Sequence, residues 1–325
     1  MAYRFLVTTT TLGHGGQKIL AEAGCEVDYL DNANDPQEVE RRMANTAYDA
    51  VISRTVDLTA TAINACPSLQ IICKHGVGVT NIDVNAASER GIPVLTTPAT
   101  NAQSVAELTI ALMLDASRRL PYFQQEVAQG RWTRTGDGEE LQGKTLGLVG
   151  FGEIGRRVAR IAQAIGMNVA FFDPALPADR DTGEVRRCNT LEALLQQSDV
   201  FSLHCPVNDK TRLMINATTL ALLPAGAIII NTARGELIDE AALAAALESG
   251  HLRAAALDTV AKEPLAADHP FRALPQVIIT PHIGGSTPQA LDAVAQSAAR
   301  QCLEWLDAKQ INRFACVNPQ VLNKE

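Results

Sequence analysis

Three side chains in the C-terminal half of the chain are of the types that move a proton and grip an anion. Arg234 lies three residues past an apolar run in AIIINTARGELID. Glu263 follows Asp258 by five residues in AAALDTVAKEPL, and His282 follows the run in VIITPHIGGST, beside two glycines. Each comes after a stretch apolar enough to be a buried strand, and in open parallel sheets ligands sit outside the carboxyl ends of the strands. Arg can hold a carboxylate bidentately and polarise an adjoining carbonyl. His is the side chain that gives and takes a proton near neutral pH, and an acid beside it orients the ring and favours its charged form. With a hydride source, such a set suits reduction of a 2-oxo acid or oxidation of a 2-hydroxy acid. Taken singly, each has a plainer reading: a surface or capping arginine, a solvated loop acid before Pro264, a satisfied buried histidine, a turn cap at Asp258. Their shared placement after successive strands is what favours chemistry.

A hydride source is legible in Lys144 to Asp173, KTLGLVGFGEIGRRVARIAQAIGMNVAFFD. The strand LGLVG runs into Gly150, Gly152 and Gly155, a G-x-G-x-x-G turn. An amphipathic helix follows, with Ile154, Val158, Ile161, Ala162 and Ile165 expected on its buried face. Gly166 ends it, MNVAFF is a second strand, and Asp173 closes that strand 23 residues after Gly150. Gly150 permits the tight turn, Gly152 lets backbone approach a pyrophosphate, and Gly155 lets helix and strand pack closely. The helix N-terminus offers unpaired N–H groups and a positive dipole end to phosphates. Asp173 can bind both hydroxyls of a ribose and repels a 2′-phosphate, and no Arg or Lys follows it until Arg180, so NAD is expected over NADP. The plainer reading is a helix–strand corner without a ligand.

The elements that must position these residues alternate short apolar runs with helical patterns, the signature of parallel α/β architecture. RFLVTT, EVDYL, DAVIS, LQIICKHG and GIPVLTTP are expected strands, and QKILAEAG, QEVERRMAN and TAINACP expected helices, so a small α/β sheet is complete before residue 100. A long helical pattern runs from Ser104, as N-cap, to about Gln129, with Pro121 kinking or interrupting it. Further strands are expected at DVFSLHCP, GAIIINTA, RAAALD and QVIITPH, and a last helix from Pro288 to about Ala308. The tail is expected to return to the first sheet. The expected fold is therefore α/β with two parallel-sheet domains: a flavodoxin-like domain from residues 1–99 and 287–325, and a Rossmann-like dinucleotide domain, 100–286, inserted in it.

Composition bounds the partners. The chain has 325 residues, 46% hydrophobic and 20% charged, with a formal net charge of −8, which leaves no basic surplus for nucleic acid. No run approaches a membrane span, and no signal peptide is read at the start. The seven cysteines form no C-x-x-C, so no metal site and no disulfide frame is expected, and the thiols suit a cytoplasmic protein.

The chain resembles the D-isomer-specific 2-hydroxyacid dehydrogenases, and within them the phosphoglycerate dehydrogenase branch in a short form without a regulatory domain. The resemblance rests on KHGVGVTNID (Lys74–Asp83), PATNAQSVAE (Pro98–Glu107), GLVGFGEIG (Gly147–Gly155), FSLHCPVNDKTRLMIN (Phe201–Asn216), NTARGELIDEAAL (Asn231–Leu243), ALDTVAKEPL (Ala256–Leu265) and PHIGGST (Pro281–Thr287). It implies that Arg234 binds the substrate carboxylate and carbonyl, and that Glu263 pairs with His282, the proton donor in reduction. It implies NAD contacts from Gly150, Gly152, Glu153, Ile154, Gly155, Asp173, Cys205 and Gly285, from Thr232 and Ala233 through backbone, and from Arg234 and His282. Asp258 would meet the nicotinamide carboxamide, and Ser104 would add a phosphate contact. Val77 and Gly78 would present N–H groups to the substrate carboxylate, with Arg54, Lys74 and His75 as further substrate contacts. A cleft that closes on cofactor binding and a homodimer arm at Arg118–Leu141 are also implied.

Lys74 and His75 stand where the phosphoglycerate branch usually carries Arg and a small residue, and Thr80 where it carries Asp. The expected substrate is thus a small anionic 2-hydroxy or 2-oxo acid, either 3-phosphoglycerate or an unphosphorylated acid of the hydroxypyruvate or glyoxylate kind. An NAD(H)-sensing corepressor-like binding protein, or a phosphite or formate enzyme of the same fold, are the remaining alternatives.

Overall fold

The computed structural model describes residues 2–177 and 179–323. It divides into two compact units, one formed by Met1–Asn101 with Ser286–Glu325 and the other by Ala102–Gly285.

In the first unit, β1 (Arg4–Val7), α1 (His14–Glu22), β2 (Glu26–Tyr29), α2 (Pro36–Asn45), β3 (Ala50–Ser53), α3 (Ala60–Ala65), β4 (Ile71–Lys74), α4 (Val84–Glu89) and β5 (Val94–Leu95) alternate along the chain. The five strands form a sheet in the order β2-β1-β3-β4-β5, paired in parallel throughout. That order is the flavodoxin-like one. Apolar clusters lie on both faces, which is why β3 and β4 are buried over their whole length. The terminal helix, Pro288–Ala308, joins this unit: it packs on α1 so closely that a Cβ at Gly16 would lie 2.8 Å from the Ala295 side chain. Asp292 accepts the Gly15 N–H at 2.6 Å, so Gly15 and Gly16 belong to a helix that begins earlier than its apolar spacing suggests.

The second unit begins with α5 (Ala102–Arg118) and α6 (Leu120–Ala128), followed by β6 (Thr145–Val149), α7 (Glu153–Ala164), β7 (Asn168–Phe172), β8 (Arg186–Arg187), α8 (Leu191–Leu195) and β9 (Val200–Leu203). It continues through α9 (Ala217–Leu220), β10 (Ala227–Asn231), α10 (Glu240–Glu248), β11 (Leu252–Leu257) and β12 (Val277–Ile279). Its seven strands are all parallel, in the order β12-β11-β10-β9-β6-β7-β8. This is the Rossmann order, with the direction of winding reversing between β6 and β9. Ligands bind outside the carboxyl ends of the strands at such a point. The expected α/β class with two parallel sheets is what the chain adopts.

Some local expectations fail. The helix after residue 100 starts at Ala102, so Ser104 lies inside its first turn and is not the cap. Arg119 takes a left-handed φ of 55° and splits the long helical pattern in two, with Pro121 in the first turn of α6, where its missing N–H costs nothing. On α7 the buried stripe is Gly155, Val158, Ala159 and Ala162, flanked by Ile154 and Ile161; Ile165 is 38% exposed, because the helix has already ended there. Among the described residues no helix is long and apolar enough to cross a membrane.

Candidate active site

The glycine turn follows β6. Gly150 has φ 92°, and a Cβ there would lie 2.6 Å from the carbonyl oxygen of His204, so only glycine fits. A Cβ at Gly155 would lie 2.3 Å from Gly150 O, which fixes how closely α7 approaches the turn. Gly152 differs: nothing lies within 4 Å of its Cβ position, and it caps α7 without a side-chain hydrogen bond. The first turn of α7 thus has N–H groups without a side-chain cap, beside open space, as a pyrophosphate requires. Glu153, an anion at that same end, is turned back along the helix toward Arg157 (2.6 Å) and Arg156 (3.5 Å), and the hydrogen bond from Arg157 holds its pKa below the ordinary carboxylate range.

Asp173, at the end of β7, accepts the Phe151 N–H at 2.9 Å and the Ala175 and Leu176 N–H groups at 3.0 and 3.2 Å. It therefore ties the glycine turn to its own loop, and one oxygen keeps an acceptor direction for a ribose. Arg187 on β8 donates to the carbonyls of Asp173, Leu176 and Pro177 at 2.9, 2.7 and 3.1 Å. This arginine, beside Asp173, is committed to backbone. The sequence offered no signal for it beyond an Arg in a two-residue strand.

Under the turn, His204 sets Nε2 2.9 Å from Ser202 Oγ. Its shielded Nδ1 has no partner among the described residues, and burial pushes its pKa down to about 3, so the ring is neutral. Burial likewise pushes the neighbouring Cys205 thiol up to about 11, leaving a small uncharged group on the face where the resemblance implies adenine or ribose.

The loop after β10 is organised by Asn231, which sequence reasoning passed over. Its fully buried carboxamide accepts the Ala233 N–H at 3.0 Å and donates to Arg234 O at 2.8 Å, bracketing the turn that carries Arg234. Thr232 directs its hydroxyl inward to Thr109 of α5 at 2.8 Å, leaving its backbone at the rim. Arg234 is half-buried, with Nη1 donating to Ala233 O at 2.6 Å. At Gly235 a Cβ would lie 1.9 Å from the Val260 carbonyl carbon, so the loop after β11 crosses directly over the Arg234 loop.

That crossing loop carries Glu263. Its Oε1 accepts from Val260 N at 3.3 Å, and its Oε2 lies 2.9 Å from His282 Nδ1. The two side chains are 39% and 45% exposed, open to a ligand. The sheet therefore brings Glu263 and His282 together and lays their loops against that of Arg234. Two other expected ligands are placed differently. The Asp258 carboxylate is buried and accepts from Thr280 Oγ1, Ile283 N and Gly284 N. Ser104, expected to contact a phosphate, is buried and donates to Gly284 O at 2.6 Å. Gly285 lies half-buried just beyond.

The first unit carries its own cluster after β3 and β4. Arg54 is held by its N–H on Thr8 Oγ1 at 2.9 Å, with Nη1 3.5 Å from Thr9 Oγ1. Lys74 is buried and turned inward, its ammonium bonded to Arg54 O and Asn81 Oδ1, so it braces the Arg54 loop. Burial, and next the charge of Arg54, push His75 down to about 4. Gly76 at φ 137° turns the chain, and the Val77 and Gly78 N–H groups beyond it have no partner among the described residues.

Residues 110–284 match the family model described as D-isomer specific 2-hydroxyacid dehydrogenase, NAD binding domain. A D-3-phosphoglycerate dehydrogenase of Methanocaldococcus jannaschii is 40% identical over 298 residues, 91% of this chain and 56% of that protein. A hydroxypyruvate reductase of Thermotoga maritima is 42% identical over 243 residues, 74% of this chain and 78% of that one. The crystal structure of NAD+-bound 3-phosphoglycerate dehydrogenase from Entamoeba histolytica superposes with a TM-score of 0.82 at 28% identity, over 98% of this chain and 99% of that one. The chain thus spans just over half the length of the first of these relatives, and more of the other two. With one flavodoxin-like and one Rossmann-type parallel sheet, a glycine turn shaped for a dinucleotide and matches of this extent, the chain belongs to the D-isomer specific 2-hydroxyacid dehydrogenases and carries that family's NAD-binding domain.

Proposed function

We propose that this protein is an NAD-dependent oxidoreductase that interconverts a D-2-hydroxy acid and its 2-oxo acid. The observation that carries this reading is the Glu263–His282 pair, at 2.9 Å, on the carboxyl edge of the sheet that holds the glycine turn. NAD, held at the glycine turn, would supply or accept the hydride. The remaining work falls to the chain. Arg234 holds the substrate carboxylate in its guanidinium fork and polarises the carbonyl. Glu263 fixes His282 through Nδ1, which leaves Nε2 to give a proton to the carbonyl oxygen in reduction and to take it back in oxidation. Gly150, Gly152, Ile154 and Gly155, with the first turn of α7, hold the pyrophosphate, and Asp173 the adenosine ribose. Thr232, Ala233 and Cys205 line the rest.

Arg54 and the open N–H groups of Val77 and Gly78 are proposed as contacts for an anionic substrate. Two substrates fit: 3-phosphohydroxypyruvate, and the unphosphorylated hydroxypyruvate or glyoxylate. The inward turn of Lys74 and the neutral His75 favour the second, because they leave less positive charge for a phosphate. We further propose a homodimer: Leu120, Val127 and Trp132, within the segment that resembles the dimer arm, are 51%, 53% and 82% exposed. A cytoplasmic setting suits the free cysteines.

Cofactor choice gives the test. NADH is expected to bind more tightly than NADPH in fluorescence titrations, because Asp173 repels a 2′-phosphate and Arg187 is engaged by three carbonyls. Asp173→Ala should narrow that preference about tenfold or more, a change of ~1.4 kcal/mol. Tighter NADPH binding by the unaltered protein would overturn the reading of Asp173.

A further inference from the structure

We propose that Asp258 is a positioning residue for His282, its carboxylate holding the backbone turn that aims the imidazole. This rests on the reading of His282 as proton donor. His282 has φ 55°, a left-handed conformation that a non-glycine residue keeps only where the surroundings over-determine it. Here the surroundings do so from both sides. The His282 N–H donates to Asp258 O and Thr280 O, each at 2.9 Å. The next two N–H groups, Ile283 and Gly284, donate to Asp258 Oδ1 and Oδ2 at 2.8 Å each, and Thr280 Oγ1 donates to Oδ1 at 2.6 Å.

One buried carboxylate thus gathers the donors before and after His282. A Cβ at Gly284 would lie 3.0 Å from Asp258 Oδ2, so a glycine lets that amide reach the acid. On the far side Ser104 donates to Gly284 O at 2.6 Å. Asp258 is itself anchored, its N–H on Asn231 O at 2.8 Å, and Asn231 also brackets Arg234. The same strand pair therefore sets both the proton donor and the carboxylate clamp. The pattern is specific to a carboxylate. An amide at position 258 can offer only one acceptor atom, and its NH2 would face the N–H of Ile283 or Gly284, donor against donor.

The test is Asp258→Asn in the intact protein, with Thr280→Val as a milder variant that keeps the carboxylate and its backbone donors. Three quantities are read: kcat and KM with a 2-oxo acid, NADH affinity by fluorescence titration, and hydrogen exchange of the Ile283 and Gly284 amides without cofactor. We expect Asp258→Asn to lower kcat by tenfold to a hundredfold and to speed exchange of both amides at least tenfold, with NADH affinity changed less than about threefold. Thr280→Val should move kcat and exchange the same way by a smaller factor. Weakened NADH binding with unchanged exchange would overturn the proposal and make Asp258 a cofactor ligand only. If Asp258→Asn does not fold, unchanged exchange and kcat in Thr280→Val and Ser104→Ala would overturn it equally. Amide exchange needs no turnover, so it decides the proposal even if the unaltered protein reduces no 2-oxo acid, a result that would instead refute the dehydrogenase reading.

Discussion

His282→Ala is expected to lower kcat for 2-oxo acid reduction by at least about a hundredfold, the lower end of what a positioned general acid contributes. The carbonyl oxygen gains negative charge as hydride arrives. Without the imidazole, the proton must come from water, a slower donor. Glu263 already carries a bond from Val260 N and orients the histidine, so it is no substitute donor. His282 is nearly half exposed and its backbone is held by Asp258, so removing the ring should leave the fold and NADH affinity little changed. Steady-state NADH oxidation beside a cofactor titration separates the two effects. An unchanged kcat would remove His282 from the mechanism.

Arg234→Ala is expected to lower kcat/KM by roughly a hundredfold to a thousandfold, the scale found for removing a donor aimed at developing charge. Arg234→Lys should restore little, because an ammonium cannot make the paired, planar contact to a carboxylate that also reaches its carbonyl. The loop itself should survive, since Asn231 holds it through backbone atoms and Gly235 fits beneath Val260 whatever side chain stands at 234. Kinetics of both variants against wild type check this; full recovery in Arg234→Lys would reduce the guanidinium to a point charge.

What was legible in the sequence follows from where its signals are local. Parallel strands covered on both faces read as short continuous apolar runs, and the dinucleotide turn is a βαβ unit closed within thirty residues, so β6, α7 and β7 and the glycines stood out. Arg234, Glu263 and His282 drew attention because a polar residue just past an apolar strand marks the carboxyl edge, and the fold does set Glu263 against His282. What was not legible depends on partners far along the chain. Ser104 looked like a helix cap, but it lies inside the first turn and its hydroxyl reaches Gly284, 180 residues along the chain. The bonds of the Lys74 ammonium to Asn81 and the Arg54 carbonyl carry no signal in spacing. Asn231 and Arg187 went unremarked because their work is to hold backbone, and no spacing rule signals an amide or guanidinium bonded to carbonyls. Ile165 was assigned to the buried face by periodicity, and the end of α7 undid that.

The most direct test of the account is hydride transfer by the unaltered protein. NADH oxidation should be followed with 3-phosphohydroxypyruvate, hydroxypyruvate, glyoxylate and pyruvate, and the product's configuration determined. The account predicts turnover with at least one of these acids, at a rate that collapses in His282→Ala, and a product of D configuration. No turnover with any 2-oxo acid by a protein that binds NADH would contradict it, and would leave a cofactor-binding protein whose Arg234, Glu263 and His282 do no chemistry.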